Sequence, residues 1–153
     1  MRMVKGNLIT MAKQGHFDAI VHGCNCFNMM GAGIAAQIAH HFTRARDADQ
    51  RTIRGASDKL GHCQYVRISP KLLVVNAYTQ YEPGPCLDIA ALYQCLFDIK
   101  LNLPMCRIGL PKIGCGIAGG DWRVVSQMIE RSLDGLNYTI VQLEELNWGE
   151  NNG

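Results

Sequence analysis

Ala19-Ile20-Val21-His22 runs straight into Gly23-Cys24-Asn25-Cys26-Phe27-Asn28-Met29-Met30-Gly31-Ala32-Gly33, and then into Ile34-Ala35-Ala36-Gln37-Ile38-Ala39-His40-His41-Phe42. The opening run is short, apolar and rich in branched side chains, as a buried strand is. The closing run carries Ile34, Ile38 and Phe42 at i, i+4 and i+8, which predicts a helix from about Gly33 to Phe42. Strand, glycine loop and helix in that order are the unit of a layered α/β fold with largely parallel strands.

The same alternation continues along the chain. Strands are predicted over Met3–Lys5, Ala19–His22, His62–Ile68, Leu72–Ala77, Arg107–Leu110 and Thr139–Leu143. Further helices are predicted over Ala48–Arg54, over Ile89–Leu101 with Leu92, Leu96 and Ile99 on its apolar stripe, and over Trp122–Leu133 with Val125, Met128, Ile129 and Leu133. There is no internal repeat, low-complexity tract or charge run. The reading expects one domain over residues 1–147 and a polar, frayed tail over 148–153.

Composition narrows the function classes. With 153 residues, 48% hydrophobic and 18% charged, each of two half-length domains would bury too little surface. Fifteen basic against 13 acidic side chains leave a formal charge of +2, too little for nucleic acid to be the default partner. The N-terminal stretch lacks the apolar core of a signal peptide, and no apolar run nears the roughly 20 residues that span a bilayer. No membrane association is expected, and the expected location is the cytoplasm. There the seven cysteines stay reduced, an odd number that could not pair fully, and most of them read as small buried hydrophobes.

A second glycine-rich segment, Gly114-Cys115-Gly116-Ile117-Ala118-Gly119-Gly120, also follows a predicted strand and precedes a helix. Glycines at such junctions let backbone N–H groups approach an anion, and the helix N-terminus adds partial positive charge. Either loop alone reads as a tight turn. Two of them at the carboxyl ends of sheet strands can hold one ligand between them, and a diphosphate or phosphorylated sugar is the natural guest. No glycine run ends in Lys-Ser or Lys-Thr, which excludes a P-loop. Gly114-x-Gly116-x-x-Gly119 matches the dinucleotide fingerprint, with Glu144 and Glu145 near the offset of a ribose-binding acid. It comes too late in the chain, however, for a nicotinamide domain to be completed after it.

His22, Cys24 and Cys26 share strand parity, which raises a zinc reading. Three ligands on one strand need others, and no CxxC or HxxxH pattern supplies them, so no metal is expected. His22, at the entry to the first loop, reads equally as a general acid or base and as a hydrogen-bonded structural imidazole. His40, His41 and His62 read as surface or strand-start residues, and His16 as a loop residue. Asp121 stands where a helix N-cap belongs, and a carboxylate on the lip of the second loop could also orient water. Asn25 could bond ribose hydroxyls or simply form a turn.

Four segments in order, Lys5-Gly6-Asn7-Leu8-Ile9, Ile20-Val21-His22-Gly23-Cys24-Asn25-Cys26, Met30-Gly31-Ala32-Gly33-Ile34-Ala35 and Leu110-Pro111-Lys112-Ile113-Gly114-Cys115-Gly116-Ile117-Ala118-Gly119-Gly120-Asp121-Trp122, resemble the macrodomain family over nearly the whole chain. The pattern is most similar to the branch of ADP-ribose-1″-phosphate phosphatases and terminal ADP-ribose glycohydrolase-like proteins. The resemblance implies a three-layer α/β/α sandwich with a mixed, largely parallel sheet of about six strands, binding ADP-ribose above the sheet. By the same resemblance Asn7, where relatives usually have Asp, and Leu8 would meet adenine, and Asn25 the distal ribose. Gly31, Ala32, Gly33 and Ile34 would line the pyrophosphate and distal ribose, while Ile113, Gly114, Cys115, Gly116, Ile117, Ala118 and Gly119 would wrap the phosphates. Val141 falls where relatives often place an aromatic.

Glycohydrolase-like relatives use a lysine after the fourth strand and an aspartate in the second loop. Here Val75-Asn76-Ala77-Tyr78-Thr79-Gln80 has no lysine and Ala118 replaces the aspartate, whereas His22 matches the histidine of the phosphatases. The resemblance therefore implies a hydrolase of ADP-ribosylation turnover. Foremost is a phosphatase converting ADP-ribose-1″-phosphate to ADP-ribose and phosphate, with His22 and Asp121 catalytic and no cofactor. The alternatives are removal of ADP-ribose from proteins or nucleic acid, in which nucleic acid enters only as a modified substrate, and a non-catalytic ADP-ribose reader.

Overall fold

The computed structural model describes residues 1–143; Glu144, Glu145 and the tail at 148–153 lie outside the described residues. Strands β1 (Arg2–Gly6), β2 (Ala19–Asn25), β3 (Cys63–Ser69), β4 (Leu72–Gln80), β5 (Arg107–Leu110) and β6 (Asn137–Leu143) form one sheet in the order β1-β6-β5-β2-β4-β3. Every neighbouring pair is parallel except β3 with β4. Only Pro70 and Lys71 separate those two strands, a connection that can make a hairpin but not a parallel crossover.

Five helices cover the two faces: α1 (Leu8–Lys13), α2 (Gly33–His41), α3 (Thr43–Gln50), α4 (Ile89–Asn102) and α5 (Trp122–Ser132). Leu8, Ile9, Ile38, Phe42 and Ala45 bring α1, α2 and α3 against Ile20 and Val74 on one face. Leu92, Leu96, Ile99, Val125 and Ile129 bring α4 and α5 against Val21, Val75, Ile108 and Ile140 on the other. The strand alternation of period two delivers both sets from the same strands. This is the expected three-layer α/β/α arrangement. No helix among the described residues is long and apolar enough to cross a membrane.

Each predicted strand is present, with β2 running on to Asn25 and β4 to Gln80. Two helices differ from expectation. Helix α1 was not anticipated, because its six residues are too few to show a helical period; Asn7 starts it by accepting a bond from the Thr10 N–H at 3.0 Å. The helix expected at Ala48–Arg54 lies at Thr43–Gln50. Its core contacts are Ala45 and Asp49, and the chain turns at Phe42, which ends α2 and begins α3.

Under α3 the sheet buries a polar cluster. The His22 imidazole is wholly buried, and its Nε2 lies 2.6 Å from Asn76 Oδ1. Asn76 Nδ2 donates to the Ala45 carbonyl at 3.0 Å and to Gln64 Oε1 at 2.9 Å, so its oxygen is the acceptor and His22 is the Nε2–H tautomer. Tyr78 donates its hydroxyl to Asp49 Oδ1 at 2.8 Å beside this group. Burial lowers the His22 pKa from 6.5 to about 4, the bond to Asn76 opposing it only in part. The imidazole is therefore neutral in the folded chain near pH 7, while the unfolded chain takes up its proton near 6.5. That difference stabilises the fold above pH 6.5 and is lost as pH falls toward 4, by about 3 kcal/mol. Urea titrations between pH 7 and 4 should therefore show a loss of stability on the order of 2 to 3 kcal/mol larger for the native chain than for His22→Gln. Parallel pH dependence of the two would disprove the buried neutral imidazole.

Candidate functional site

Strands β2 and β5 lie side by side but pair only at Ala19 with Ile108 and Ile20 with Gly109. The chain leaving β2 enters α2 on one face of the sheet, whereas the chain leaving β5 enters α5 on the other. Adjacent parallel strands that send their helices to opposite faces open a crevice at their carboxyl ends, where open α/β sheets bind ligands. Both glycine-rich loops stand at this crevice.

The first loop is tied down at its start and open at its end. The Asn25 side-chain oxygen accepts the N–H groups of Phe27 at 2.9 Å and Met29 at 3.4 Å, and its amide donates to the Met29 carbonyl. Asn28 sits at φ 58, and Lys59 Nζ reaches its side-chain oxygen at 2.8 Å while Gln50 donates to its carbonyl. Gly31, Ala32 and Gly33 are exposed beyond this brace. Ala32 occupies the N-cap of α2 without a capping side chain, so the first N–H groups of that helix stay open to a ligand.

The second loop is closed by bonds from Gly120 N–H to the Gly114 carbonyl at 2.8 Å and from Gly119 N–H to that of Gly116 at 3.0 Å. Gly114 and Gly119 have φ of 75 and 79, a backbone conformation that favours glycine. Its outer side rests on the segment after β4: Leu87 N–H donates to the Ala118 carbonyl. The N–H groups of Gly116, Ile117 and Ala118 have no acceptor among the described residues. A Cβ built on Gly33 would lie 3.4 Å from Ile117 Cδ1, so the two loops meet, whereas one built on Gly31 or Gly116 would meet nothing within 4 Å. The loops therefore approach each other at Gly33 and Ile117, and the backbone at Gly31 and Gly116 faces open space.

The expected residues divide accordingly. Gly31, Ala32, Gly33, Gly116, Ile117 and Gly119 are exposed at the crevice, with Ile34, Gly114, Cys115 and Ala118 half-buried beside them. Leu8 and Ile113 are buried, Leu8 against the core under α1 and Ile113 beneath Gly23. Each is the apolar residue that anchors its turn to the core, while Leu8 was expected beside adenine and Ile113 in the loop that wraps the phosphates. Asn7 is exposed with its oxygen engaged as the α1 cap. Asn25 spends both ends of its amide on its own loop rather than presenting them outward.

His22, expected to be catalytic, is placed away from the exposed face of the crevice. Its side chain shares a face with Ile20 and Cys24, under α3 and with no surface exposure. Its burial and its bond to Asn76 match the hydrogen-bonded imidazole, one of the two readings the sequence left even. Asp121 accepts the Arg123 N–H at 2.9 Å as the α5 N-cap, and Arg123 Nη2 pairs with its other oxygen at 3.1 Å. Those bonds hold its carboxyl below the ordinary range. The region read as the loop after the fourth strand, Val75–Gln80, is strand β4 itself; the true loop, Tyr81 to Asp88, also contains no lysine. The sequence reading missed Asn28 and Lys59 as braces of the first loop, and Leu87 as the prop of the second. A concavity of about 730 Å³ at the opposite end of the sheet, lined by Lys13, Arg67, Lys71 and Arg107 among others, shares no residue with these loops.

No protein-family model matches the chain. It is 33% identical, over 95% of its length and 98% of the other's, to an uncharacterized 17.5 kDa protein of the tk-vs intergenic region of Enterobacteria phage T4. Its structure superposes on the macrodomain of Thermus aquaticus DarG with a TM-score of 0.71, at 23% identity, covering 95% of this chain and 97% of that one. On Thermosipho africanus DarTG in complex with ADP-ribose the TM-score is 0.75 at 15% identity, covering 98% of this chain and 44% of the other. The chain thus belongs to one family with the phage T4 protein, and its fold is the macrodomain fold.

Proposed function

We propose that the chain binds ADP-ribose in the crevice between β2 and β5. The observation that carries this reading is the open space at Gly31 and Gly116, bounded by two loops that touch through Gly33 and Ile117. The unbonded N–H groups of the second loop and the uncapped start of α2 suit a diphosphate without any lysine or arginine. That DarTG, alike in fold, is complexed with ADP-ribose supports the choice of ligand.

Capture of the ligand needs nothing more than these groups, and a reader of ADP-ribose is the role the geometry supports best. Phosphate release from ADP-ribose-1″-phosphate is the second reading, and one observation favours it. Asp121 presents an exposed carboxylate, kept ionised by Arg123, at the end of the second loop, where it can orient water against a distal phosphate. In this reading the loop N–H groups stabilise charge on phosphorus and His22 takes no part.

Calorimetry with ADP-ribose tests the first reading. Gly116→Val places its side chain into the open space, at a position without the left-handed backbone of its neighbours. It should weaken binding at least about tenfold with an unchanged melting temperature. Native protein that binds no ADP-ribose at about 1 mM, a Kd worth only some 4 kcal/mol, would sink the proposal. The second reading is separated by Asp121→Asn, which keeps a good N-cap and removes the charge. Its phosphate release should fall on the order of 100-fold while ADP-ribose binding stays within about twofold. Native protein that binds ADP-ribose and releases no phosphate is a reader alone.

A further inference from the structure

Helix α4 has two apolar faces. Leu92, Leu96 and Ile99 are buried against the sheet, while Ile89, Tyr93, Phe97 and Leu101 run along the opposite side at 41%, 53%, 54% and 64% exposure. Their spacing of four makes them a single ridge of the helix surface. A helix that is apolar all round belongs inside a structure, so one of its faces lacks a partner among the described residues. We propose that this face is the contact between two copies of the chain, with the two α4 helices crossing antiparallel about a two-fold axis between Tyr93 and Phe97.

The sequence of the ridge argues for a second copy over any other partner. Read in either direction it is aliphatic, aromatic, aromatic, aliphatic, so a two-fold axis at its centre sets Tyr93 on the other copy's Phe97 and Ile89 on its Leu101. Ridges of i±4 residues from both helices then interdigitate, the commonest way helices pack. Self-pairing also demands that no like charges meet along the two α4 helices, Arg131 belonging to α5. The two charged residues of α4 are already engaged, Asp98 accepting the Tyr65 hydroxyl at 2.6 Å and Lys100 bonding the Asp134 carbonyl. The exposed neighbours Ala90 and Gln94 are neutral.

A notch of about 250 Å³ between α4 and α5 adjoins the ridge, lined by Tyr93, Val124, Gln127, Met128 and Arg131 among others. In the proposed pairing the other copy's Phe97 meets Tyr93 at the edge of this notch. Val124, itself 51% exposed, extends the apolar surface onto α5. Large aliphatic and aromatic side chains left about half exposed, at roughly 150–250 Å² for each aromatic, give a patch of several hundred Å². That is within the range of a monomer's largest patch and about half of the roughly 800 Å² each partner contributes to a standard interface, the polar rim supplying the rest.

The test measures mass in solution by sedimentation and light scattering across about 1 to 200 μM, with melting temperature as the control for folding. The native chain should dimerise within this range. Tyr93→Lys and Phe97→Glu should each be monomeric and as stable as the native chain, since both sites are exposed. Mixed together they should recover a heterodimer, because the proposed pairing sets the new lysine against the new glutamate and leaves a native Tyr93–Phe97 contact on the other side. A native chain that is monomeric throughout, or a dimer that survives both substitutions, overturns the proposal. Failure of the mixture to associate, when each variant alone is folded, overturns the antiparallel pairing. The result is independent of whether the crevice binds ADP-ribose.

Discussion

The brevity of the β2–β5 pairing is the constraint on which the site depends. Two residue pairs hold the strands together near their starts, and beyond Ile20 and Gly109 the chains separate toward helices on opposite faces. Were β5 to continue beside β2 as far as β4 does, its backbone would fill the space now left between the loops. Phe17 stabilises the short pairing from below, lying so close to Gly109 that a Cβ there would stand 2.6 Å from its ring.

What the loops offer that opening is backbone. Side chains that could have reached into it are turned to other tasks: Asn25 folds its own loop, Asn28 is held by Lys59 and Gln50, and Leu87 supports the second loop from outside. The result is a site whose donors are fixed before any ligand arrives, and fixed donors lose little entropy on binding. The diphosphate site proposed above is compatible with a near-neutral chain, because N–H groups and a helix start would there do the work that lysine and arginine do elsewhere.

The fold was largely legible because its strands are short, branched and apolar, and its longer helices carry a clear period. The short helix α1 and the true start of α3 were not, since each depends on one turn and a few core contacts. The site was legible as two glycine loops but not as a set of side chains. Period two correctly placed His22 and Cys24 on one face. Nothing in the sequence said that this face lies under α3, where burial keeps His22 neutral, and Asn76, which bonds it, and Gln64, which orients Asn76, are remote in the chain. The polar residues inside the apolar run of β4 were the signal of that cluster. Leu8 and Ile113 belonged to motifs whose exposed neighbours carry the surface, and only burial separates the anchor from the lining.

Helix α4 shows a related limit. Its inner stripe is carried by Leu92, Leu96 and Ile99, and that stripe alone suffices to predict the helix, so the equally apolar ridge from Ile89 to Leu101 adds nothing to the prediction. An amphipathic pattern reveals which face is buried only when the other face is polar. Where both are apolar, the sequence states that two surfaces are covered without stating by what. The helix also begins immediately after the support of the second loop, with Asp88 capping it by accepting the Ala91 N–H and Leu87 bonded to Ala118. The loop that shapes the crevice and the ridge that faces outward are therefore held by one continuous segment, and the placement of α4 on the sheet determines both.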